Sequence, residues 1–152
     1  MKIFIATDHR GYELKEEIKK WLLEWNYECE DLGADELNES DDYPDFIAKA
    51  AKAVSRDPEN SLGIILGGSG QGEAIVANKY PGIRAVVYYG GPEKIITLSK
   101  EHNNANVLSL GVSFLNKENA QRMVKLWLDT NFSREERHVR RIEKITKIEQ
   151  AQ

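Results

Sequence analysis

The sequence is poor in cysteine and has no long hydrophobic run. Its single cysteine, Cys29, excludes an intrachain disulfide and favours a reducing compartment such as the cytoplasm. No apolar stretch approaches the ~20 residues that a membrane-spanning helix needs, and the N-terminal segment is typical of a strand rather than of a signal peptide. We therefore expect a soluble cytoplasmic protein.

The sequence also lacks an excess of positive charge. The formal net charge is -4, so the overall charge does not attract nucleic acid or an anionic membrane, and any site for an anion must be local. Histidine is scarce, with three in the chain. None of them has the spacing of zinc ligands, so the sequence predicts no metal site.

Short β-prone runs alternate with amphipathic segments along the whole chain. The predicted strands are KIFIAT, YECEDLG, SLGIILGG, IRAVVYYG and ANVLSLG. The predicted helices are residues 12–26, Phe46 to about Ser55, EAIVANKY, PEKIITLSKEHN with Pro92 in its first turn, NKENAQRMVKLWLDTNF, and the basic tail from Arg137 to Gln152.

This alternation predicts an α/β fold in which residues 1–152 form a single domain. We expect a doubly wound, Rossmann-like sheet of five parallel strands, with helices on both faces and a C-terminal helical tail. In such a sheet ligands bind beyond the carboxyl ends of the strands. The candidate site residues are therefore expected to collect at one edge of the sheet.

The stretch GGSGQG, residues 67–72, places four glycines and a serine between a buried strand and a helix. Glycines let the backbone approach a ligand closely, and N–H groups at a helix start favour an anion or an oxyanion. The spacing matches neither a Walker loop nor a dinucleotide-binding fingerprint. The simpler alternative is a tight strand-to-helix turn.

Glu73 follows this loop directly and admits two interpretations. A carboxylate in the first turn of a helix gains ~0.3–1 kcal/mol from the helix dipole, and that can be its whole role. Alternatively, Glu73 is a general base beside an oxyanion site, the arrangement that proton abstraction next to a carbonyl requires.

Other candidates lie at strand and helix ends. Asp8 and His9 follow the first strand, and His102 with Asn103 ends a predicted helix, where His102 is a candidate acid/base near neutral pH. Arg137 and Arg141 are four residues apart, so they share a helix face and could hold one phosphate or simply belong to a solvated face. Tyr43 is a candidate pocket wall, and Cys29 is expected to be an inert thiol.

Six motifs then occur together in a fixed order: TDHRGYELK, DYPDF, GGSGQGEAIVANK, PGIRA, SKEHNNANVLSLG and RHVRRIEKI. Over essentially the whole chain they resemble the type B ribose-5-phosphate isomerases, in the group that also holds galactose-6-phosphate isomerase subunits. The resemblance implies an aldose–ketose isomerase of the pentose phosphate pathway. It would interconvert D-ribose 5-phosphate and D-ribulose 5-phosphate through an enediolate, without metal or cofactor.

The resemblance also implies roles for individual residues. Glu73 would move the proton, His102 would open the sugar ring, and Ser69 would assist with the loop amides. The implied substrate-binding residues are Asp8, His9, Gly68, Ser69, Gly70, Gln71, Gly72, Asn103, Arg137 and Arg141. Such enzymes are dimers or dimers of dimers with pockets shared between subunits, so residues from about 134 to 152 are expected to pack on a partner.

Two positions depart from the commonest pattern of that family. Many members have a cysteine base where this chain has Gly67, whereas another branch has a glutamate directly after the loop, as here. Many also have an arginine at the position of Ser113. An isomerase of a six-carbon sugar phosphate, galactose 6-phosphate or allose 6-phosphate, is therefore an alternative. A non-catalytic sugar-phosphate sensor is a weaker one, because a sensor needs neither Glu73 nor His102.

Overall fold

A computed structural model describes residues 1–152 and contains one sheet of five parallel strands. The strands are Lys2–Thr7 (β1), Glu28–Asp31 (β2), Ser61–Gly67 (β3), Ala85–Tyr88 (β4) and Val107–Gly111 (β5). The helices are Tyr12–Glu24 (α1), Tyr43–Arg56 (α2), Gln71–Ala77 (α3), Lys94–Glu101 (α4), Lys117–Asp129 (α5) and Glu136–Gln150 (α6). None of these helices has the length and apolarity to span a membrane.

The strand order is β2-β1-β3-β5-β4, which places the strand with the most continuous apolar sequence in the middle. All seven residues of β3 are buried, as expected for a strand covered on both faces. Ile64 and Leu66 belong to a core shared with α1 and α5, whereas Ile65 belongs to a core shared with α2 and α3. The predicted doubly wound α/β fold is confirmed.

Several predicted helix boundaries were wrong, two of them at prolines. Helix α2 begins at Tyr43 rather than Phe46 and includes Pro44 in its first turn, where a missing N–H costs nothing. Helix α4 begins only at Lys94, so Pro92 precedes the helix instead of lying in its first turn. The predicted helical tail is confirmed as α6.

The topology places different residues at the carboxyl ends and at the amino ends of the strands, which are called here the two edges of the sheet. At their carboxyl ends β1 leads into Asp8 and β3 into the glycine loop, and β5 ends at Gly111. Helices that connect parallel strands run back, so α4 ends at the opposite, amino edge. There the Ser133 N–H donates to the Glu101 carbonyl, and Glu149 of α6 accepts from the Gly82 N–H.

Candidate active site

The glycine loop leaves β3 at its carboxyl end and is pressed against β5. Gly70 has a φ of 76°, a left-handed conformation that favours glycine. Its carbonyl accepts a hydrogen bond from Ser109 Oγ at 2.6 Å. A Cβ on Gly111 would lie 2.5 Å from the Ser69 carbonyl oxygen. The path of the loop therefore depends on glycine at both positions.

Glu73 lies in the first turn of α3 and is buried, with 4% of its surface exposed. Burial raises the pKa of the Glu73 carboxyl, and the nearby Asp8 raises it further, while the backbone N–H of Glu73 itself opposes the shift. A carboxylate that has lost hydration is a stronger base than one in water. Glu73 thus has the environment of a proton acceptor.

Gly67, the last residue of β3, leaves the space that the Glu73 side chain fills. A Cβ built on Gly67 would overlap the Glu73 carboxylate. A side chain at position 67 and the observed orientation of Glu73 therefore exclude each other. For this reason the glycine at 67 and the glutamate at 73 are two parts of one steric arrangement.

Asp8 and His9 lie at the end of β1, beside this loop. Asp8 is buried and accepts the Arg10 N–H at 2.9 Å. The backbone N–H of His9 donates to Asp41 Oδ1 at 3.1 Å, and its ring Nδ1 lies 2.6 Å from the same oxygen. Asp41 thus orients His9 and leaves Nε2 as the nitrogen available to a ligand. This contact spans 32 residues, so no local sequence pattern could have identified Asp41.

Asp8, His9 and Asp41 are also the residues that could hold a metal ion, because each offers one ligand atom and these atoms lie within 4.8 Å of one another. In the structure the His9 ring and the Asp41 carboxylate already contact each other at 2.6 Å. That contact orients the His9 ring, as a carboxylate does for other histidines.

Three further residues border the glycine loop. The Tyr43 hydroxyl lies 2.7 Å from the position that a Cβ on Gly72 would take, so Tyr43 is a wall of the site. The Ser113 N–H donates to the Gly68 carbonyl at 3.0 Å. The Arg10 guanidinium lies beside Gly68, with Nε 3.4 Å from the position of a Cβ built there. Arg10 stands in the motif next to His9, yet sequence reasoning passed over it.

His102 and His138 form a second cluster. His102 caps the C-terminus of α4, His138 lies in the first turn of α6, and their ring centroids are 4.1 Å apart. His138 is buried, with Nδ1 2.7 Å from Ser133 Oγ. Burial lowers the pKa of His138, and His102 and Arg137 lower it further. The buried His138 ring is thus packed against His102, an arrangement that sequence reasoning missed.

The remaining predicted residues lie beside this second cluster. Asn103 is exposed next to His102. Arg137 and Arg141 are exposed one turn apart on α6, and Arg137 Nε donates to Glu135 Oε2 at 2.8 Å. Both arginines are near enough to His138 to contribute to the lowering of its pKa, as a phosphate-binding site beside an acid/base would require.

The two clusters lie at opposite edges of the same sheet. Glu73, Asp8 and the glycine loop follow the carboxyl ends of strands, whereas His102 and α6 lie where the strands begin. Strands of five to seven residues separate these edges by roughly 15–23 Å. The expectation that all candidate residues collect at one edge is therefore wrong for a single chain.

Comparison with known proteins identifies the family. The sequence profile described as Ribose/Galactose Isomerase matches residues 3–145. The chain belongs to this family. It is 39% identical over 149 residues to ribose-5-phosphate isomerase B from Mycobacterium tuberculosis, a match that covers 98% of this chain and 90% of the relative.

Solved structures of the ribose/galactose isomerase family agree with this assignment. Ribose-5-phosphate isomerase B from Mycoplasma genitalium, with bound ribulose-5-phosphate, has a TM-score of 0.95 at 37% identity and covers 99% of this chain and 97% of its own. The Clostridium thermocellum ribose-5-phosphate isomerase B has a TM-score of 0.91 at 43% identity and covers 99% of both chains. The resemblance found in the sequence motifs is confirmed.

Cys29, the single thiol of the chain, lies away from both clusters in β2, which is an outermost strand of the sheet. Burial raises its pKa to about 11, and Asp31 contributes to the same shift. Because the thiolate is the reactive form, Cys29 is inert near neutral pH. This agrees with the prediction that Cys29 is an inert thiol.

Proposed function

We propose that this protein is an aldose–ketose isomerase that interconverts D-ribose 5-phosphate and D-ribulose 5-phosphate through an enediolate. The names of its relatives and the ribulose-5-phosphate bound to the Mycoplasma genitalium protein support this reaction. Within this chain, one observation carries the proposal. Glu73 is a buried carboxyl, with its pKa raised by burial, placed beside a loop of glycine N–H groups.

Glu73 transfers the proton between the two reacting carbons. It removes the C2 proton of the open-chain aldose, and the C–H electron pair forms the C1–C2 double bond of the enediolate. The hydroxyl proton on O2 passes to O1, and Glu73 returns its proton to C1. The result is the ketose, with no net gain or loss of protons or electrons, so the step needs no external oxidant or reductant.

The loop from Gly68 to Gly72 stabilises the enediolate oxygens. Its backbone N–H groups and the Ser69 hydroxyl are donors, and the loop is held rigid by its contacts with Ser109 and Gly111. Donors fixed before the reaction stabilise developing charge without reorganisation, and the loss of one such donor typically costs ~10²–10³ in rate.

His102 acts on the ring form of the sugar. It moves a proton between the ring oxygen and O1, and the buried His138 ring packs against it with ring centroids 4.1 Å apart. Asn103 lies beside it as a binding residue. Arg137 and Arg141 bind the phosphate with two guanidinium forks. That remote binding energy positions C2 near the base.

A complete site requires two copies of the chain, because Glu73 and His102 lie at opposite edges of one sheet. The partner copy brings His102, Asn103, Arg137 and Arg141 to the glycine loop, and a two-fold axis makes the exchange reciprocal. Each chain is thus one isomerase domain with half of two sites. The exposed apolar residues of α6 support this arrangement, since they need a partner surface.

Exchange of the substrate C2 hydrogen with solvent tests the proposal. In deuterium oxide the wild-type protein is expected to incorporate deuterium into ribose 5-phosphate and ribulose 5-phosphate. Glu73→Gln keeps the shape and removes the base, so exchange and kcat should fall by about 10²–10⁴ while binding remains measurable by calorimetry. Glu118→Gln, an exposed first-turn glutamate of α5, is the matched control. Near-normal exchange in Glu73→Gln would show that another group is the base.

A panel of substrates separates the five-carbon reaction from its alternatives. The values of kcat/KM for ribose 5-phosphate, allose 6-phosphate and galactose 6-phosphate are measured side by side, with and without a chelator. The ribose 5-phosphate reaction should have the highest value, and the chelator should leave it unchanged. A preference for a six-carbon substrate would reassign the function within the same chemistry.

A further inference from the structure

Arg10 places a free guanidinium group at the mouth of the glycine loop. Its Nε and Nη2 lie 3.4 and 3.7 Å from the position that a Cβ on Gly68 would take. The side chain is exposed, and Arg10 takes part in none of the ion pairs of the chain. All of its side-chain donors are therefore available to a ligand held by the loop.

Ser113 lies on the other side of the same glycine. Its Oγ is 3.7 Å from the same Cβ position, and its N–H donates to the Gly68 carbonyl. The carboxyl ends of β1, β3 and β5 thus meet at Gly68, which itself follows β3. Arg10 comes from the segment after β1 and Ser113 from the segment after β5. Of the two side chains that border Gly68 there, the one after β1 is cationic and the one after β5 is neutral.

The other ionisable side chains that this chain places around Gly68 are mostly acidic, which is unfavourable for an anionic substrate. Three carboxyl groups lie on this edge, those of Asp8, Asp41 and Glu73, and the Asp8 group is close enough to raise the pKa of Glu73. His9 is hydrogen-bonded to Asp41. Arg10 is therefore the unpaired cation that can attract a phosphate to a site otherwise rich in carboxylates.

The position of Arg10 also indicates which end of the substrate it contacts. Glu73, which handles the reacting carbons, is buried behind Gly67, whereas Arg10 is exposed on the outer side of Gly68. The reacting end of the sugar thus points inward and the phosphate end outward. A guanidinium fork matches phosphate oxygens in a bidentate manner.

We propose that Arg10 is a phosphate ligand of this site, so that the substrate phosphate is held by Arg10 of one copy together with Arg137 and Arg141 of the other. This inference rests on the proposed function. Arg10 then provides, on one side of Gly68, the positive charge that Ser113 on the other side lacks. The affinity of this protein for phosphorylated sugars therefore depends on a residue that follows β1.

Arg10→Ala tests the inference through KM and through phosphate binding. Hydrogen bonds to a charged group typically contribute enough that KM for ribose 5-phosphate should rise about tenfold to a hundredfold, with kcat changed much less. The dissociation constant of inorganic phosphate, measured by calorimetry, should rise in parallel. Arg56→Ala removes an exposed arginine at the end of α2, away from the loop, and should change neither value.

A second variant places the cation on the opposite side of Gly68. Arg10→Ala combined with Ser113→Arg should recover most of the lost KM and phosphate affinity, because both side chains lie within 4 Å of the same point. Unchanged KM and phosphate binding in Arg10→Ala would overturn the inference. A fall in kcat at constant KM would overturn it too, since Arg10 would then act at the reacting carbons. If the wild type binds phosphate through Arg10 but isomerises no ribose 5-phosphate, the proposed function fails and the phosphate site stands.

Discussion

At the scale of single residues, Glu73 is a charge that the fold accommodates at a cost. The carboxyl is buried without a cationic partner, and the space for it exists only because position 67 is glycine. Burial raises its pKa and so stabilises the protonated form relative to the carboxylate. The ionised form of Glu73, which the proposed reaction requires, is therefore the form that destabilises the folded protein.

The raised pKa predicts how Glu73 affects stability with pH. The folded protein binds this proton more tightly than the unfolded chain, so stability from this group is present below the unfolded pKa, near 4.5, and is lost as the pH rises through the folded pKa. Glu73→Gln removes that loss. Its Tm should exceed that of the wild type at neutral pH, and the difference should vanish at about pH 4, where both side chains are neutral.

Thermal unfolding of both proteins across this pH range measures the effect. Glu118→Gln, an exposed glutamate in the first turn of another helix, is the control and should show no such dependence. A Tm of Glu73→Gln that lies below wild type by the same amount at every pH would contradict the interpretation, because the loss would then come from packing alone.

At the scale of elements, α6 is a helix that its own chain does not cover. His138 is its one buried residue. Ile142, Ile145 and Ile148 recur every three positions and so lie on one face, and Ile145 and Ile148 are 49% and 65% exposed. The helix is tied to the rest of the chain mainly by polar contacts at its ends, the His138–Ser133 and Glu149–Gly82 contacts.

The exposed apolar face predicts that α6 carries the contact between copies. Ile145→Asp should weaken the oligomer, because an ionised carboxylate in an apolar interface must be desolvated. The molar mass in solution should fall towards that of one chain, and kcat per chain should fall at low protein concentration. Light scattering and activity over a concentration series measure both effects.

Leu23→Asp is the matched control, since Leu23 is 77% exposed at the end of α1. It should leave both the mass and the activity unchanged. If Ile145→Asp has the mass and concentration dependence of the wild type, α6 does not form the interface.

At the scale of the whole molecule, the doubly wound topology divides the chemistry. Each helix that links two parallel strands carries the chain from one edge of the sheet to the other. Glu73 and the glycine loop therefore lie at one edge, and His102 with the two arginines of α6 at the other. We therefore predict that assembly of two copies joins the two halves, which would make the oligomer part of the catalytic apparatus.

Mixed oligomers test this division directly. Glu73→Gln and His102→Asn should each be inactive alone, because each defect affects every site of its own oligomer. After the two variants are mixed, unfolded and refolded, mixed dimers contain one site with both intact residues. Random pairing should then recover about a quarter of wild-type activity.

Two defects in the same half provide the control. A mixture of His102→Asn and Arg137→Ala should gain no activity over the separate proteins. Both defects lie in the same half of the site, so every pairing of the two chains leaves each site with one defect. Equal recovery in both mixtures, or none in the first, would show that Glu73 and His102 do not come from different chains.

Patterns in the sequence were sufficient for the parts of this protein that depend on neighbours along the chain. The alternation of apolar runs and amphipathic segments predicted the strands, the helices and the sheet, because burial on one or two faces requires those periodicities. The glycine loop and Glu73 were also predicted, since strand, loop and first helical turn are contiguous. The errors at Tyr43 and Pro92 were limited to helix ends.

Contacts between distant segments were decided only by the tertiary structure. The Asp41–His9 contact, the His138–His102 pair and the approach of Arg10 to Gly68 join elements that the sequence does not place side by side. The same holds for Gly67, whose missing side chain leaves the space that the Glu73 carboxylate fills. The sequence determined which groups can carry the chemistry, whereas the topology decided that one chain holds them at opposite edges, because each crossover helix returns the chain to the start of the next strand.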